Sequence, residues 1–160
     1  MTRRAITTAL TVALLASGCI GSTPEDRERD ALPDDGLEEG PLHRAGQPCL
    51  LCHSSSGGEG PHFVVAGTVY GTDGVTGRGG VRVTLTDVTG DVWELLTNEA
   101  GNFMIDEREW SPVFPLSVDL SDGTHQIGMR SPISREGSCA HCHRAELSAT
   151  SAGPVEVGAF

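Results

Sequence analysis

Apolar and polar residues alternate in short segments through the middle of the chain, and glycine-rich turns separate these segments. Within residues 80–87, Val81, Val83 and Leu85 fall on one face, which is the pattern of a half-buried β-strand. Five other segments are β-rich in the same way: residues 63–70, 92–97, 103–105, 114–120 and 124–130. Short strands with a turn about every ten residues predict an all-β protein, an antiparallel sandwich over residues 63–130.

The N-terminal residues have a different composition, which is typical of an export signal. Arg3 and Arg4 precede an apolar stretch over residues 5–15, which is too short to span a bilayer. The sequence Leu-Ala-Ser-Gly-Cys that ends at Cys19 resembles the bacterial lipobox. This resemblance implies a signal peptide over residues 1–18, cleavage before Cys19 and attachment of lipid to its sulfur. The alternative is an uncleaved signal anchor with a chance cysteine.

The next segment, residues 19–48, is acidic and shows little apolar periodicity, so it predicts a disordered tether. The whole chain has a net charge of −11, with 22 acidic residues and 11 basic ones, all arginine. Removal of residues 1–18 takes away two arginines and leaves −13. Such a charge excludes nucleic acid as a partner and suits a partner with a basic face, although solubility alone also favours acidic surfaces.

The chain has five cysteines, and four of them form two Cys-x-x-Cys-His sequences. Motif 1 is Cys49-Leu50-Leu51-Cys52-His53 and motif 2 is Cys139-Ala140-His141-Cys142-His143. If Cys19 carries lipid, no cysteine is left over. Cys-x-x-Cys-His is the attachment signature of c-type haem, in which two thiols bind the porphyrin edge and the histidine ligates the iron.

The two motifs resemble those of c-type cytochromes, and the resemblance covers the two pentapeptides and their surroundings. It implies two covalently attached haems, in segments 49–62 and 131–160, which we expect to be short and irregular or helical. Cys49, Cys52, Cys139 and Cys142 would attach them, with His53 and His143 as proximal ligands. A zinc site or two short disulfides would also use the cysteine pairs, but neither needs a histidine after each pair.

The segment between the motifs resembles the carboxypeptidase-regulatory, transthyretin-like family. Ala-Gly-Thr-Val-Tyr at residues 66–70, Gly-Val-Arg-Val at 80–83 and Thr-Asn-Glu-Ala-Gly-Asn-Phe at 97–103 carry the resemblance. It covers residues 63–120 and implies a Greek-key sandwich without catalytic residues. The arrangement as a whole is similar to small bacterial lipoprotein cytochromes.

Each iron would need a second axial ligand, and the chain offers several candidates. His62 follows motif 1 after a flexible loop, and Met129 precedes motif 2 by ten residues. Either side chain could equally be an ordinary loop or core residue. His141 is a weaker candidate, for a neighbouring haem. We expect His43, which lies in the predicted tether, to be solvated.

These features predict an exported, lipid-anchored electron carrier that docks on a redox partner protein through its acidic surface. The residue after Cys19 is Ile20 and not the Asp that would resemble an inner-membrane retention signal. This favours anchoring in the outer membrane. One alternative is a non-haem β-sandwich binding module whose cysteine pairs form a zinc site or disulfides. A di-haem peroxidase is the enzyme alternative; it needs an open iron and acid–base residues above it, for which the sequence has no clustered set.

Overall fold

A computed structural model describes residues 22–58, 60–145 and 147–158. The predicted signal peptide, residues 1–18, and the predicted lipid-bearing Cys19 lie outside these residues. The chain divides after Ala31 into two compact units. The fold and both motifs belong to the second unit.

The described part of the first unit contains a short α-helix, α1 (Pro24–Asp30). Thr23 and Asp26 form a capping box, with hydrogen bonds of 3.1 and 2.9 Å between side chains and backbone N–H groups. Pro24 occupies the first helical turn, where its missing N–H costs nothing. No helix within the described residues has the length and apolar character to cross a membrane.

The second unit consists mostly of antiparallel β-strands, so the all-β prediction is confirmed. The strands are β1 (Phe63–Thr68), β2 (Arg82–Thr86), β3 (Val92–Leu96), β4 (Asn102–Asp106), β5 (Ser117–Ser121), β6 (Gln126–Gly128), β7 (Leu147–Ser148) and β8 (Ser151–Ala152). The first six correspond to the six predicted segments. β1, β2, β3 and β6 are shorter than predicted, because the turns extend into the apolar runs. β5 begins three residues later and ends one residue later than predicted, and β4 extends one residue beyond the prediction at each end.

The strands form three sheets within the described residues. β1 pairs with β4, and the order β3-β2-β5-β6 makes a four-stranded sheet. β7 and β8 form a small hairpin directly after motif 2. All of these pairings are antiparallel.

Buried residues of the β1-β4 sheet and of the four-stranded sheet form one hydrophobic core. Val81, Val83 and Leu85, predicted to share one face, are all completely buried. They belong to the same cluster as Val65 of β1 and Ile105 of β4. Burial of each such side chain stabilises the fold by about 1.5–3 kcal/mol, so this core fixes β1, the strand that both motifs contact.

Candidate functional site

The two Cys-x-x-Cys-His motifs adopt the same backbone turn. In motif 1, the backbone N–H groups of Cys52 and His53 both donate to the carbonyl of Cys49, at 3.2 and 2.9 Å. The corresponding distances in motif 2 are 3.1 and 2.8 Å. Each turn begins with a short 3₁₀ helix, Cys49–Leu51 or Cys139–His141. Each motif thus contains a short helix, in agreement with the prediction of short irregular or helical segments.

The histidine that ends each motif is oriented by a backbone carbonyl. Nδ1 of His53 lies 3.0 Å from the oxygen of Pro61, and Nδ1 of His143 lies 3.1 Å from the oxygen of Gly153. A carbonyl oxygen only accepts hydrogen bonds, so each Nδ1 carries the proton. In a neutral imidazole the other nitrogen, Nε2, then has a free lone pair. Metal-binding histidines have this arrangement, in which the outer hydrogen bond fixes the ring.

A returning segment of chain supplies each of these carbonyls. After motif 1, the loop returns at Phe63, whose N–H donates to the carbonyl of His53 at 2.8 Å. After motif 2, the β7–β8 hairpin returns at Ala152, whose N–H donates to the carbonyl of Cys142 at 2.8 Å. The two sites are therefore built in the same way from unrelated flanking sequences.

Both motifs contact strand β1. Motif 1 leads into the strand through its hydrogen bond to Phe63. Motif 2 approaches from the side, where the N–H of Ala66 donates to the carbonyl of Gly137 at 3.0 Å. Cys139 then packs on Gly67, where an added Cβ would lie 2.7 Å from its Cβ and 2.8 Å from its Sγ. One strand thus brings together motifs that are far apart in the sequence.

The four motif cysteines are free thiols. Burial raises the pKa of Cys49 to about 11. Burial, together with the nearby Cys49, raises the pKa of Cys139 to about 12. Cys142 is exposed, whereas the other three are partly buried. The contribution of Cys49 to the raised pKa of Cys139 agrees with the contact of both motifs with β1.

The predicted distal candidates occupy different surroundings. His62 and His141 are partly buried, and the Nδ1 of each lies near a carboxylate, at 3.4 Å from Glu107 and 3.2 Å from Glu136. Met129 is 41% exposed and follows β6, the edge strand of the four-stranded sheet, whereas the motifs contact β1 of the other sheet. These surroundings do not identify any of the three side chains as an axial ligand, and their assignment stays a prediction.

His43, which we expected to be solvated, instead lies beside motif 1. Its ring centroid is 5.8 Å from that of His53, and the two ring planes are inclined by 66°. The sequence around His43 gives no periodic signal, and its spacing of ten residues before His53 is the only feature that could have indicated this contact.

The segment that carries His43, residues 40–47, belongs to the predicted disordered tether but is hydrogen-bonded to β1, β4 and the loop that precedes β4. The side chains of Asn98 and Asn102 donate to the carbonyl of Pro41 at 2.6 and 3.3 Å. The N–H of Gly46 donates to the hydroxyl of Thr68 in β1 at 2.7 Å. Tertiary hydrogen bonds therefore order this charged, weakly apolar segment.

Comparison with other proteins gives no further guide to the chemistry of these motifs. Within residues 22–58, 60–145 and 147–158, no group of three or more histidine, cysteine or carboxylate side chains is arranged to hold a metal ion together. No family model, curated protein or solved structure matches the chain.

Proposed function

We propose that this chain is an exported, lipid-anchored c-type cytochrome that carries two covalently attached haems and transfers single electrons. One observation carries the proposal: both Cys-x-x-Cys-His motifs form the same turn, with Nδ1 of the final histidine on a backbone carbonyl. A zinc site or a disulfide requires only the cysteine pairs. The matched orientation of His53 and His143 is what axial ligation of iron requires.

The donor set fits this prosthetic group. Four free thiols in two pairs are available for thioether bonds, and each histidine has a free Nε2 for the iron. Haem supplies one-electron redox chemistry when it is bound. The chain attaches it through Cys49, Cys52, Cys139 and Cys142, and orients the rings of His53 and His143 through Pro61 and Gly153.

The packing of the motif cysteines bears on the order of attachment and folding. Cys49, Cys52 and Cys139 are partly buried in the folded chain, and Cys139 packs on Gly67 of β1. Both thiols of a motif are more accessible on the unfolded, exported chain. This packing therefore supports attachment of haem before folding.

We propose that the two larger sheets form a transthyretin-like Greek-key sandwich. The order β3-β2-β5-β6 and the shared core with β1 and β4 support this topology. In this fold the sandwich is a scaffold with no catalytic residues, and the chain is an electron carrier rather than a di-haem peroxidase.

The location and partner follow from the sequence. The lipobox resemblance at Cys19 supports a lipid anchor in the bacterial envelope, with Ile20 favouring the outer membrane. The net charge of the chain, −11 over its full length, supports transient docking on a redox protein with a basic face.

Production of the full chain in a strain that matures c-type cytochromes tests the proposal. We expect a pyridine haemochrome spectrum and a mass that correspond to two haems per chain. The variants Cys52→Ala and Cys142→Ala should each fail to retain one correctly attached haem, whereas the control Cys19→Ala should keep both and lose the lipid. A colourless wild-type protein from such a strain would overturn the proposal in favour of zinc or disulfides.

A further inference from the structure

The side chain of His43 has a defined position beside the ligand histidine of motif 1. Its centroid lies 5.8 Å from that of His53. Within the described residues, His43 is the only histidine whose ring contacts the ring of a motif histidine. This contact joins residues from two different segments, because motif 1 lies against β1 while residues 40–47 are tied to β1 and β4.

The backbone of His43 is held by strand residues. The carbonyl of His43 accepts a hydrogen bond from the side chain of Asn102 at 3.2 Å. The hydroxyl of Thr68, which accepts from Gly46, donates in turn to Asn102 at 2.7 Å. Asn102 is 4% exposed, so this anchor is shielded from competing water.

The imidazole of His43 is also held by the backbone through Nδ1. This nitrogen contacts the carbonyl oxygen of Gly40, and it lies 3.3 Å from the backbone nitrogen of the same residue. Because Gly40 occupies Nδ1, Nε2 is the nitrogen through which His43 would bind a metal ion.

The separation of the His43 and His53 rings is that of two imidazoles which share one metal ion. An imidazole nitrogen lies about 2 Å from a bound metal, which places the centroids of two opposed rings about 6 Å apart. The observed centroid distance is 5.8 Å. The inclination of 66° is no obstacle, because each ring can rotate about its nitrogen–metal axis without moving the nitrogen.

We infer that His43 is the distal axial ligand of the haem attached at motif 1, opposite His53. The inference rests on the proposed function and completes one of its two sites. It replaces His62 as the candidate for this position, because among the described residues the ring of His43, and not that of His62, is in contact with the ring of His53. A haem with two histidine ligands is six-coordinate, so its iron does not bind external ligands readily.

The matured full chain provides the test, read by spectroscopy. His43→Ala should convert one of the two haems to a high-spin ferric form and allow it to bind carbon monoxide after reduction. Added imidazole should restore the low-spin spectrum. The matched controls are His62→Ala and His125→Ala, since each removes a partly buried imidazole whose Nδ1 has a contact within the protein. Neither control should change the spin state of the haem at motif 1.

A second variant covers the case in which His43→Ala fails to mature. His43→Met should keep the iron six-coordinate and add a sulfur-to-iron charge-transfer band to the spectrum. The control variant His62→Met should not show this band. A His43→Ala protein whose haem at motif 1 stays low-spin and inert to carbon monoxide would overturn the inference, and so would a His43→Met protein without the new band. Such a protein would still contain two haems, so this failure differs from a colourless wild type, which would overturn the proposed function itself.

Discussion

A backbone carbonyl, rather than a carboxylate, holds the Nδ1 of each proposed proximal histidine. A carbonyl fixes the tautomer and the ring direction without bringing a negative charge to the ring. His62, His125 and His141 instead have Nδ1 within 3.2–3.4 Å of a carboxylate. A carboxylate can also orient a metal-binding imidazole, so the two groups of histidines differ in the charge beside the ring and not in their capacity to bind iron through Nε2.

The burial of Cys139 leads to a prediction about thiol reactivity. The test uses the haem-free protein, produced without residues 1–18. In this protein Cys139 should react with iodoacetamide at pH 8 at least about 100-fold more slowly than the exposed Cys142. The reason is that a pKa raised to about 12 leaves little thiolate at that pH. The rate at Cys139 should rise as the pH approaches 12, because the thiolate fraction then increases.

Peptide mass spectrometry of samples quenched at intervals would measure both rates. The same reaction in urea is the control, since unfolding removes the burial and should make the two rates similar. Equal rates in the folded protein would contradict the described position of Cys139.

At the scale of elements, β1 organises the site. It pairs with β4 on one side and accepts motif 2 on the other, where Ala66 bridges to Ser138 in parallel. Gly67 makes this possible, because the absence of a side chain lets Cys139 pack directly on the strand. The requirement at Gly67 is one of space, since its backbone is that of an ordinary strand residue.

Substitution of Gly67 tests this close packing. Gly67→Ala places a Cβ within 2.7–2.8 Å of Cβ and Sγ of Cys139, so we expect the free energy of unfolding to fall by about 1–3 kcal/mol. Gly71→Ala is the matched control, because its added Cβ would meet the nearest atoms at 3.7 Å. Urea unfolding followed by circular dichroism would give both values, and a Gly67→Ala protein as stable as the control would refute the packing argument.

The strands could be predicted from the sequence because their signal is local. Val81, Val83 and Leu85 alternate with polar residues, and their burial follows from that alternation. The motif turns are equally local, since each closes within five residues. The position of His43 depends on hydrogen bonds from Asn102, which is 59 residues away. Asparagine at residue 102 suggests only a turn when it is met in the sequence.

The whole molecule combines a strongly acidic chain with two proposed redox sites on one strand. The net charge of −11 raises the local concentration of cationic partners and repels anionic ones. Electrostatic steering of this kind acts on the association rate and weakens as salt screens the charges.

Electron transfer should therefore depend on salt in a way that reveals the sign of the partner. With a cationic redox protein as acceptor, we expect the second-order rate constant to fall about tenfold or more between 10 mM and 500 mM salt. With the anionic complex ferricyanide, the rate constant should rise over the same range, because screening removes repulsion. Stopped-flow measurement of both reactions supplies the comparison, and a salt-independent rate with the cationic protein would argue against docking through the acidic surface.

The packing of Cys139 on Gly67 also has a consequence for biogenesis. A maturation enzyme must reach both thiols of motif 2, but the finished sheet covers Cys139 and seats Gly137 against the backbone of Val64. If the chain is exported as proposed, β1 leaves the export channel before motif 2 does, and the chain can begin to fold around an empty motif. We expect a chain that closes too early to become a trapped apoprotein, and the yield of complete cytochrome to depend on how long the export machinery delays this closure.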